Sequence, residues 1–437
     1  MFFAAINPYR RSPGDQVILR PDDFTCAISK VNLAAVETHA EWSVIPYLVA
    51  DNNLAATLFD VVLELQETGS NDHVHVCVFF DGPFLTDTFF ARMNAGSTLT
   101  EDIILRFTDL KSSSPQIFKE IIQNAMILFP ADHRLVIVAG HGYGWMGLLP
   151  DEALWKTIAK NGLLKIITND FDALLAQNDA GLRAVIQQMK DRIDPESRTE
   201  GNPISIILMN ACFMGNLEAV ATLAGTTTYI IASEDADIAE TYDYQAIIRH
   251  LSLHPATSPE ELARLLMKTR EISAATGIHV PSHSAYRTSE IPMVLEKTAA
   301  LAKALDTYLA QGGLEQVNSA IASTFHVASR EFKDLKGIAE NLQRDSKIPS
   351  PLRQACQEIE TCLGENCLLL ATDTPGGRMS PNGLSIYCPP PGSYCQDYRK
   401  YLEDTCPALL PWQEFLVHWY TGLRERCPRS QVNEIWG

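Results

Sequence analysis

Residues 135–142 read Leu-Val-Ile-Val-Ala-Gly-His-Gly, and residues 204–212 read Ile-Ser-Ile-Ile-Leu-Met-Asn-Ala-Cys. Both are short, continuous apolar runs, a pattern typical of strands buried in a parallel sheet that is covered on both faces. If the two strands are parallel neighbours, His141 and Cys212 lie at the same carboxyl edge, where α/β sheets place their ligands. A thiol beside an imidazole is the minimal machinery of nucleophilic catalysis, so this edge is a candidate catalytic site.

The residues around these two runs alternate strand-like and helix-like patterns, which predicts an α/β fold with a mostly parallel sheet. Pro46 interrupts the first predicted strand, which indicates an edge position or a bulge. Asp51, Asn52 and Asn53 offer N-cap side chains to the helix that follows. The further predicted strands cover residues 42–50, 74–80 and 229–233. The predicted helices run from the capping residues to about 67 and over 114–129, 214–225 and 244–253.

From about Ser258 the pattern changes to long helices, predicted over residues 258–275, 291–311 and 314–332. Two strand-like pieces at 368–371 and 384–387 and a helix near 412–423 follow. We therefore divide the chain into an N-terminal extension (1–40), a catalytic core (41–257) and a helix-rich C-terminal subdomain (258–437).

The composition is that of an ordinary globular protein, with 46% hydrophobic and 20% charged residues in a chain of 437. A formal net charge of −18 argues against a nucleic-acid partner, because such a partner requires a basic face. No apolar run reaches the length of a membrane span, and the N-terminus lacks the long apolar region of a signal peptide. We therefore expect a protein that is cytoplasmic or exported by a non-classical route, with no membrane partner; its oligomeric state stays open.

Seven of the ten cysteines lie in the last 82 residues, and none belongs to a C-x-x-C motif. A zinc site therefore has no support from spacing. Reduced, partly buried thiols are the favoured interpretation, and one or two disulfides remain open.

Each residue of the predicted site has a chemical role. A helix directly after Cys212 would lower the pKa of its thiol through the positive end of the helix dipole. His141 would take the thiol proton and then protonate the leaving amine. The backbone N–H groups of Gly142 and Cys212 would form an oxyanion hole, since a glycine lets substrate approach the main chain closely.

A rival motif occupies the same loop, because residues 142–147 fit the dinucleotide pattern G-x-G-x-x-G. That pattern requires a helix at its third glycine, but Leu148-Leu149-Pro150 follows here, and Trp145 would crowd a pyrophosphate. A nucleotide-binding oxidoreductase is therefore a distant third interpretation.

Several segments resemble the clostripain family of cysteine peptidases, which has the caspase-like α/β/α sandwich fold. His-Gly-Tyr-Gly-Trp at 141–145 is similar to the family's His-Gly-x-Gly-Trp. Asn-Ala-Cys-Phe-Met-Gly-Asn-Leu-Glu-Ala at 210–219 is similar to its Asp-Ala-Cys-Leu-Met-Gly-x-x-Glu. The other similar segments are 47–54, 231–234 with 242–244, and 382–387 with 412–416. They follow the family's order from about residue 42 to 420, which is far more specific than any one motif.

The resemblance implies a cysteine endopeptidase that acts on a peptide or protein substrate, with Cys212 as nucleophile and His141 as base. It requires no third catalytic residue and no cofactor. Calcium, on which some relatives depend, finds no support, because the sequence has no D-x-D-x-D-G loop. The residues expected to bind substrate are Asn210, Ser233, Glu234 and Trp145.

Asn210 stands where the family usually has an Asp that grips a substrate Arg or Lys. An amide keeps a hydrogen-bonding group but loses the charge, so the grip on Arg becomes roughly half as strong. Cleavage after Arg or Lys is thus an expectation that rests on the resemblance. The resemblance also implies self-cleavage between His141 and Cys212, where Arg198 is the most accessible basic residue by composition. The competing interpretation is a non-catalytic or narrowly specific scaffold that binds peptides or protein partners.

Overall fold

The structure is a computed structural model. It describes residues 18–19, 37–84, 87–107, 112, 115–146, 204–237, 241–274, 282–364, 368–373 and 382–426. Most of the predicted N-terminal extension and the whole stretch between the His141 loop and the Cys212 strand, including Arg198, lie outside these residues.

Ten of the twelve strands in the described part form one sheet, in the order β1-β5-β4-β3-β2-β6-β7-β8-β9-β11. The strands are β1 (Ile18–Leu19), β2 (Ala40–Val49), β3 (Val74–Asp81), β4 (Thr88–Arg92), β5 (Ile103–Phe107), β6 (Ala131–Ala139), β7 (Ile204–Asn210), β8 (Thr227–Ser233), β9 (His283–Arg287), β10 (Phe332–Asp334), β11 (Leu369–Asp373) and β12 (Ser385–Tyr387). The central five, from β3 to β8, are parallel, and antiparallel strands flank them on both sides. β10 and β12 form a separate antiparallel pair.

The helices have the following bounds in chain order. They are α1 (Ala55–Thr68), α2 (Leu99–Asp102), α3 (Pro115–Leu128), α4 (Leu217–Leu223), α5 (Tyr244–Leu253), α6 (Pro259–Ala274), α7 (Ile291–Ala310), α8 (Leu314–Ala322), α9 (Leu335–Gln343), α10 (Ser350–Cys362), α11 (Asp397–Thr405) and α12 (Leu410–Arg426).

Two hydrophobic cores lie on opposite faces of the sheet, because successive side chains of a strand point to opposite sides. In β2, Ile45 and Tyr47 join the core that α3, α4 and the C-terminal helices cover, whereas Val44 and Leu48 join the core under α1, α5 and α6. The predicted α/β sandwich with a mostly parallel sheet is confirmed. The predicted domain boundaries stay a prediction, although the C-terminal helices pack on the same core as β2.

The strand around Pro46 is central, so its predicted edge position is wrong. β2 lies between β3 and β6, and Pro46 itself pairs opposite Ile137. The same register to β3 holds on both sides of the proline, from Val44 opposite Val76 to Tyr47 opposite Phe79, so there is no bulge either. The proline removes one backbone donor. The neighbouring residues of β2 still pair with both β3 and β6, so the strand keeps its central position.

One further prediction differs from the structure, and several elements were not predicted at all. The helix expected over 314–332 ends at Ala322, and β10 begins at Phe332. The antiparallel strands β4, β5 and β9 were not foreseen, since they have only five residues each and little periodicity. Helices α9, α10 and α11 were also missed.

Candidate active site

β6 and β7 are parallel neighbours, and their register brings the two predicted catalytic residues level. Ala139 of β6 pairs with Asn210 of β7, and His141 and Cys212 each follow two residues later. The Gly140 N–H donates to the Asn210 carbonyl at 3.4 Å, so the pairing continues past the regular strands. His141 and Cys212 therefore leave the sheet side by side at its carboxyl edge.

Gly142 lies against the backbone of Cys212. A Cβ at this position would lie 2.4 Å from the Cys212 carbonyl oxygen and 3.0 Å from its backbone nitrogen. Main-chain atoms cannot give way as a flexible side chain can, so only glycine lets the His141 loop approach the nucleophile this closely. The predicted oxyanion role of these two residues stays a prediction.

The His141 ring is half-buried and is oriented by a residue from a third strand end. Its Nε2 lies 2.8 Å from Oδ1 of Asn53, in the turn between β2 and α1. The sequence pattern suggested a helix cap for Asn53. The N-cap is instead Leu54, with no side-chain capping bond.

The Cys212 thiol is half-buried and is held by the main chain of Asp237. The Asp237 N–H donates to Sγ at 3.2 Å, and the thiol donates to the Asp237 carbonyl at 3.5 Å. Burial raises the pKa of Cys212; the Asp237 N–H opposes this, and the carboxylates of Asp237 and Asp235 add to it. Among the described residues no hydrogen bond joins Cys212 to His141, and the raised pKa of Cys212 favours the neutral thiol over the thiolate.

The predicted effect of a helix directly after Cys212 is wrong. α4 begins only at Leu217, and Asn216 caps it by accepting the Ala219 N–H at 2.9 Å. A turn through Phe213 separates the thiol from the helix, so the positive end of the helix lies about one turn away and the dipole has little effect there. Burial dominates instead, and the pKa of Cys212 is raised.

This turn is fixed to the end of β8. Phe213 has φ 61°, a left-handed conformation that costs a non-glycine residue about 1–2 kcal/mol. Its N–H donates to the Asp235 carbonyl at 3.0 Å, and the Gly215 N–H donates to the Ser233 carbonyl at 2.6 Å. The Phe213 ring also stacks on Phe332 at 6.2 Å. These contacts offset the strain and join the nucleophile turn to residues 233–237.

Asp237 is itself anchored by buried side chains. One carboxylate oxygen lies 3.0 Å from Nε2 of His283, and both side chains are at most 1% exposed. The other carboxylate oxygen accepts the Thr241 hydroxyl at 2.7 Å. His283, in the unforeseen strand β9, carried no signal in the sequence. The main chain that holds the Cys212 thiol is therefore tied to β9.

The four residues expected to bind substrate are all buried in this conformation. Asn210 is 3% exposed, and its amide donates to the Tyr244 hydroxyl at 2.9 Å. Ser233 and Glu234 are fully buried, and Trp145 is 4% exposed. None of them presents a free surface at the site, and their role in binding substrate stays a prediction.

Glu234 belongs to a buried group of carboxyls. Its Oε1 accepts the Gly383 N–H at 2.9 Å and the Ser282 hydroxyl at 3.3 Å. Burial raises the pKa of Glu234 well above its usual range, and the charge of Asp334 raises it further. Burial likewise raises the pKa of Asp334 to about 6, against the hydrogen bonds that Asn382 donates.

Trp145 lies in a cluster of aromatic rings. Its ring centre is 5.0–5.1 Å from those of Tyr387, Tyr398 and Tyr401. Glu218 joins this cluster, because its Oε1 accepts the Tyr387 N–H at 3.0 Å and the Tyr398 hydroxyl at 2.7 Å. Burial raises the pKa of Glu218 to about 7. Trp145 from the His141 loop and Glu218 from α4 are thus both fastened to the C-terminal region.

In the described part of the chain, no group of three or more His, Cys, Asp or Glu side chains could hold a metal ion. Cys77, Cys212, Cys356, Cys388, Cys395 and Cys406 are free thiols. No described helix has the length and apolar character needed to cross a bilayer.

Comparison with known proteins gives a consistent result. The family model described as the clostripain family matches residues 46–419. A secreted C11 cysteine protease from Bacteroides thetaiotaomicron, solved with an irreversible peptide inhibitor, is similar over 85% of this chain and 99% of its own, with TM-score 0.54 and 17% identity. An inactive zymogen C11 protease from Parabacteroides distasonis is similar over 89% of this chain and 99% of its own, with TM-score 0.52 and 15% identity. No curated protein matches the sequence.

Proposed function

The chain belongs to the clostripain family and is a cysteine-type endopeptidase, and we propose that it cleaves peptide bonds through Cys212 and His141. Two observations support this assignment. The shared register of β6 and β7 brings one thiol and one imidazole level at the carboxyl edge of the sheet, and the solved family members are similar over nearly their whole length.

The reaction follows from the chemistry of these groups. His141 takes the thiol proton, and Sγ of Cys212 bonds to the substrate carbonyl carbon, which gives a tetrahedral oxyanion. The N–H groups of Gly142 and Cys212 stabilise that oxyanion. The C–N bond then breaks as His141 protonates the leaving amine, and a thioester remains. Water, deprotonated by His141, attacks the thioester, releases the carboxylic acid and restores the thiol.

The resting contacts of Cys212 add one step before the reaction. The thiol proton is directed to the Asp237 carbonyl, so the thiol must leave Asp237 before His141 can deprotonate it. A bound substrate that competes for the Asp237 main chain would favour this change. The zymogen described for Parabacteroides distasonis is an inactive relative of the same fold.

For the side chain before the cleaved bond, we favour Arg or Lys. The carboxylates of Asp235 and Asp237 are close enough to Cys212 to raise the pKa of its thiol. The same negative field would attract a cationic side chain to this end of the site. Because Asn210 is neutral, the preference should be weaker than an Asp at that position would give. Cleavage rates of matched peptides ending in Arg, Lys, Asn or Asp measure this, and equal rates would exclude it.

Self-cleavage between His141 and Cys212 is part of the proposal. The 57 residues from 147 to 203 include Arg198 and several lysines. The mass of the purified wild-type chain, compared with Cys212→Ala, tests this. Fragments that persist unchanged in Cys212→Ala would exclude self-cleavage.

An electrophilic peptide probe distinguishes the peptidase from a scaffold that only binds peptides. The probe should label wild-type protein and fail to label Cys212→Ala. Cys395→Ala is the matched control, since Cys395 is another half-buried free thiol outside the site. Labelling that survives in Cys212→Ala, or is absent from both Cys395→Ala and wild type, would contradict the assignment.

A further inference from the structure

Three neighbouring parallel strands bring three polar side chains to one edge. β2, β6 and β7 are adjacent in the sheet, and Asn53, His141 and Cys212 follow their respective carboxyl ends. Asn53 contacts His141 through the 2.8 Å pair of Oδ1 and Nε2. This third residue was not part of the expected catalytic pair.

The turn that carries Asn53 does not need its side chain. Asn52 holds the turn, because its Oδ1 accepts the Leu54 N–H at 2.9 Å and its Nδ2 donates to the Val49 carbonyl at 3.0 Å. The helix cap, Leu54, makes no side-chain bond. The turn therefore does not require the carboxamide of Asn53, and this group hydrogen-bonds to His141 instead.

The contact also contributes little to stability. Asn53 is exposed and His141 is half-buried, so water competes for both groups. A hydrogen bond in such an exposed position adds little to the stability of a fold. We therefore examine its effect on which ring nitrogen of His141 carries the proton.

An acceptor at Nε2 determines which ring nitrogen carries the proton. Oδ1 of Asn53 can only accept, so Nε2 holds the hydrogen and Nδ1 keeps the lone pair. Among the described residues nothing hydrogen-bonds to Nδ1 of His141. When Nδ1 takes a proton, the positive charge of the ring is partly carried at Nε2–H, and the Asn53 oxygen remains in place to stabilise it.

We propose that Asn53 is a positioning residue that holds His141 in the Nε2–H tautomer, with Nδ1 facing the reaction as the base. This rests on the proposed roles of His141 and Cys212. In the described part of the chain, the side chain of Asn53 bonds to His141 and not to the thiol of Cys212. It acts through the orientation and basicity of the imidazole.

Three variants of the full-length enzyme test the proposal. Asn53→Ala removes the acceptor and should lower kcat by about 10–100-fold, which is less than the 10²–10⁴-fold contribution of a general base because His141 itself remains. KM and the melting temperature should change little. Asn53→Asp keeps an acceptor and adds charge, so it should retain most activity and move the acidic limb of the pH profile upward. Asn71→Ala is the matched control.

Asn71 resembles Asn53 in type and in its place in a turn, but it lies at the opposite edge of the sheet, before β3. Its Oδ1 accepts the His73 and Val74 N–H groups at 2.9 and 3.1 Å. Asn71→Ala should lower the melting temperature and leave kcat and the pH profile unchanged.

The outcomes distinguish the positioning role of Asn53 from the catalytic roles of Cys212 and His141. A kcat for Asn53→Ala within twofold of wild type, with an unchanged pH profile, overturns the positioning role. If Cys212→Ala and His141→Ala remain active, the proposed function itself is wrong. If those two variants are inactive and Asn53→Ala is not impaired, only the positioning role fails.

Discussion

Replacing Glu218 by Gln should reduce the loss of stability that this protein undergoes between pH 6 and pH 8. Glu218 is fully buried, and burial raises the pKa of its carboxyl from 4.5 to about 7. The folded protein therefore holds the proton more tightly than the unfolded chain. The contribution of Glu218 to stability is fully present below pH 4.5, is lost as the pH rises through 7, and changes no further well above that value.

The size of the effect follows from the pKa. Since one pKa unit corresponds to 1.36 kcal/mol, ionising Glu218 in the folded protein costs about 3 kcal/mol in all. About 1 kcal/mol of this is lost between pH 6 and pH 8. Gln keeps the Oε1 that accepts from Tyr387 and Tyr398, and it does not ionise. Glu218→Gln should thus lose about 1 kcal/mol less than the parent over this range.

Urea unfolding at the two pH values measures the difference. Both proteins should carry Cys212→Ala, so that proteolysis does not interfere. Glu403→Gln is the control, because Glu403 lies at the surface, paired with Arg399, and should follow the parent. If Glu218→Gln and the parent lose the same free energy between pH 6 and pH 8, Glu218 does not titrate in this range and the reasoning is refuted.

Three further predictions concern the site and its support. Gly142→Ala should lower kcat by at least 100-fold, because its Cβ would lie 2.4 Å from the Cys212 carbonyl oxygen; peptide hydrolysis within tenfold of wild type would contradict this. His283→Gln should loosen Asp237 and speed alkylation of the Cys212 thiol by iodoacetamide in the free enzyme, whereas an unchanged rate would show that the buried pair does not hold the thiol. Trp145→Ala should destabilise the protein by about 3–5 kcal/mol, as large-to-small core changes do. A normal melting temperature with a raised KM would instead favour a substrate-binding Trp145.

The central strands were predictable because their apolar runs are long enough to be buried on both faces. The same runs end in His141 and Cys212, so the site followed from the sheet. The antiparallel strands β4, β5 and β9 were not predictable, since five-residue segments such as His283–Arg287 carry no clear period. The edge position predicted from Pro46 was wrong, because the loss of one backbone donor is smaller in effect than the hydrogen bonds that the other residues of β2 make to β3 and β6.

The surroundings of the site were harder to predict, because they depend on residues far away in the chain. Trp145 follows a glycine-rich loop and looked like a pocket residue, but the rings that bury it come from residues 387–401. Cys212 was expected before a helix, and nothing local indicated the left-handed turn at Phe213. Asn53 lies in a run of capping residues, and only the fold brings His141 to it.

The level placement of His141 and Cys212 also defines where this gene can tolerate insertions and deletions. Each residue stands two positions past a paired residue, Ala139 or Asn210. One residue deleted within β6 would shift the strand by about 3.3 Å and turn His141 to the opposite face of the sheet. Residues added between 147 and 203 would leave this spacing untouched. Length variation among related genes should therefore collect in that connection and be excluded from the two strands.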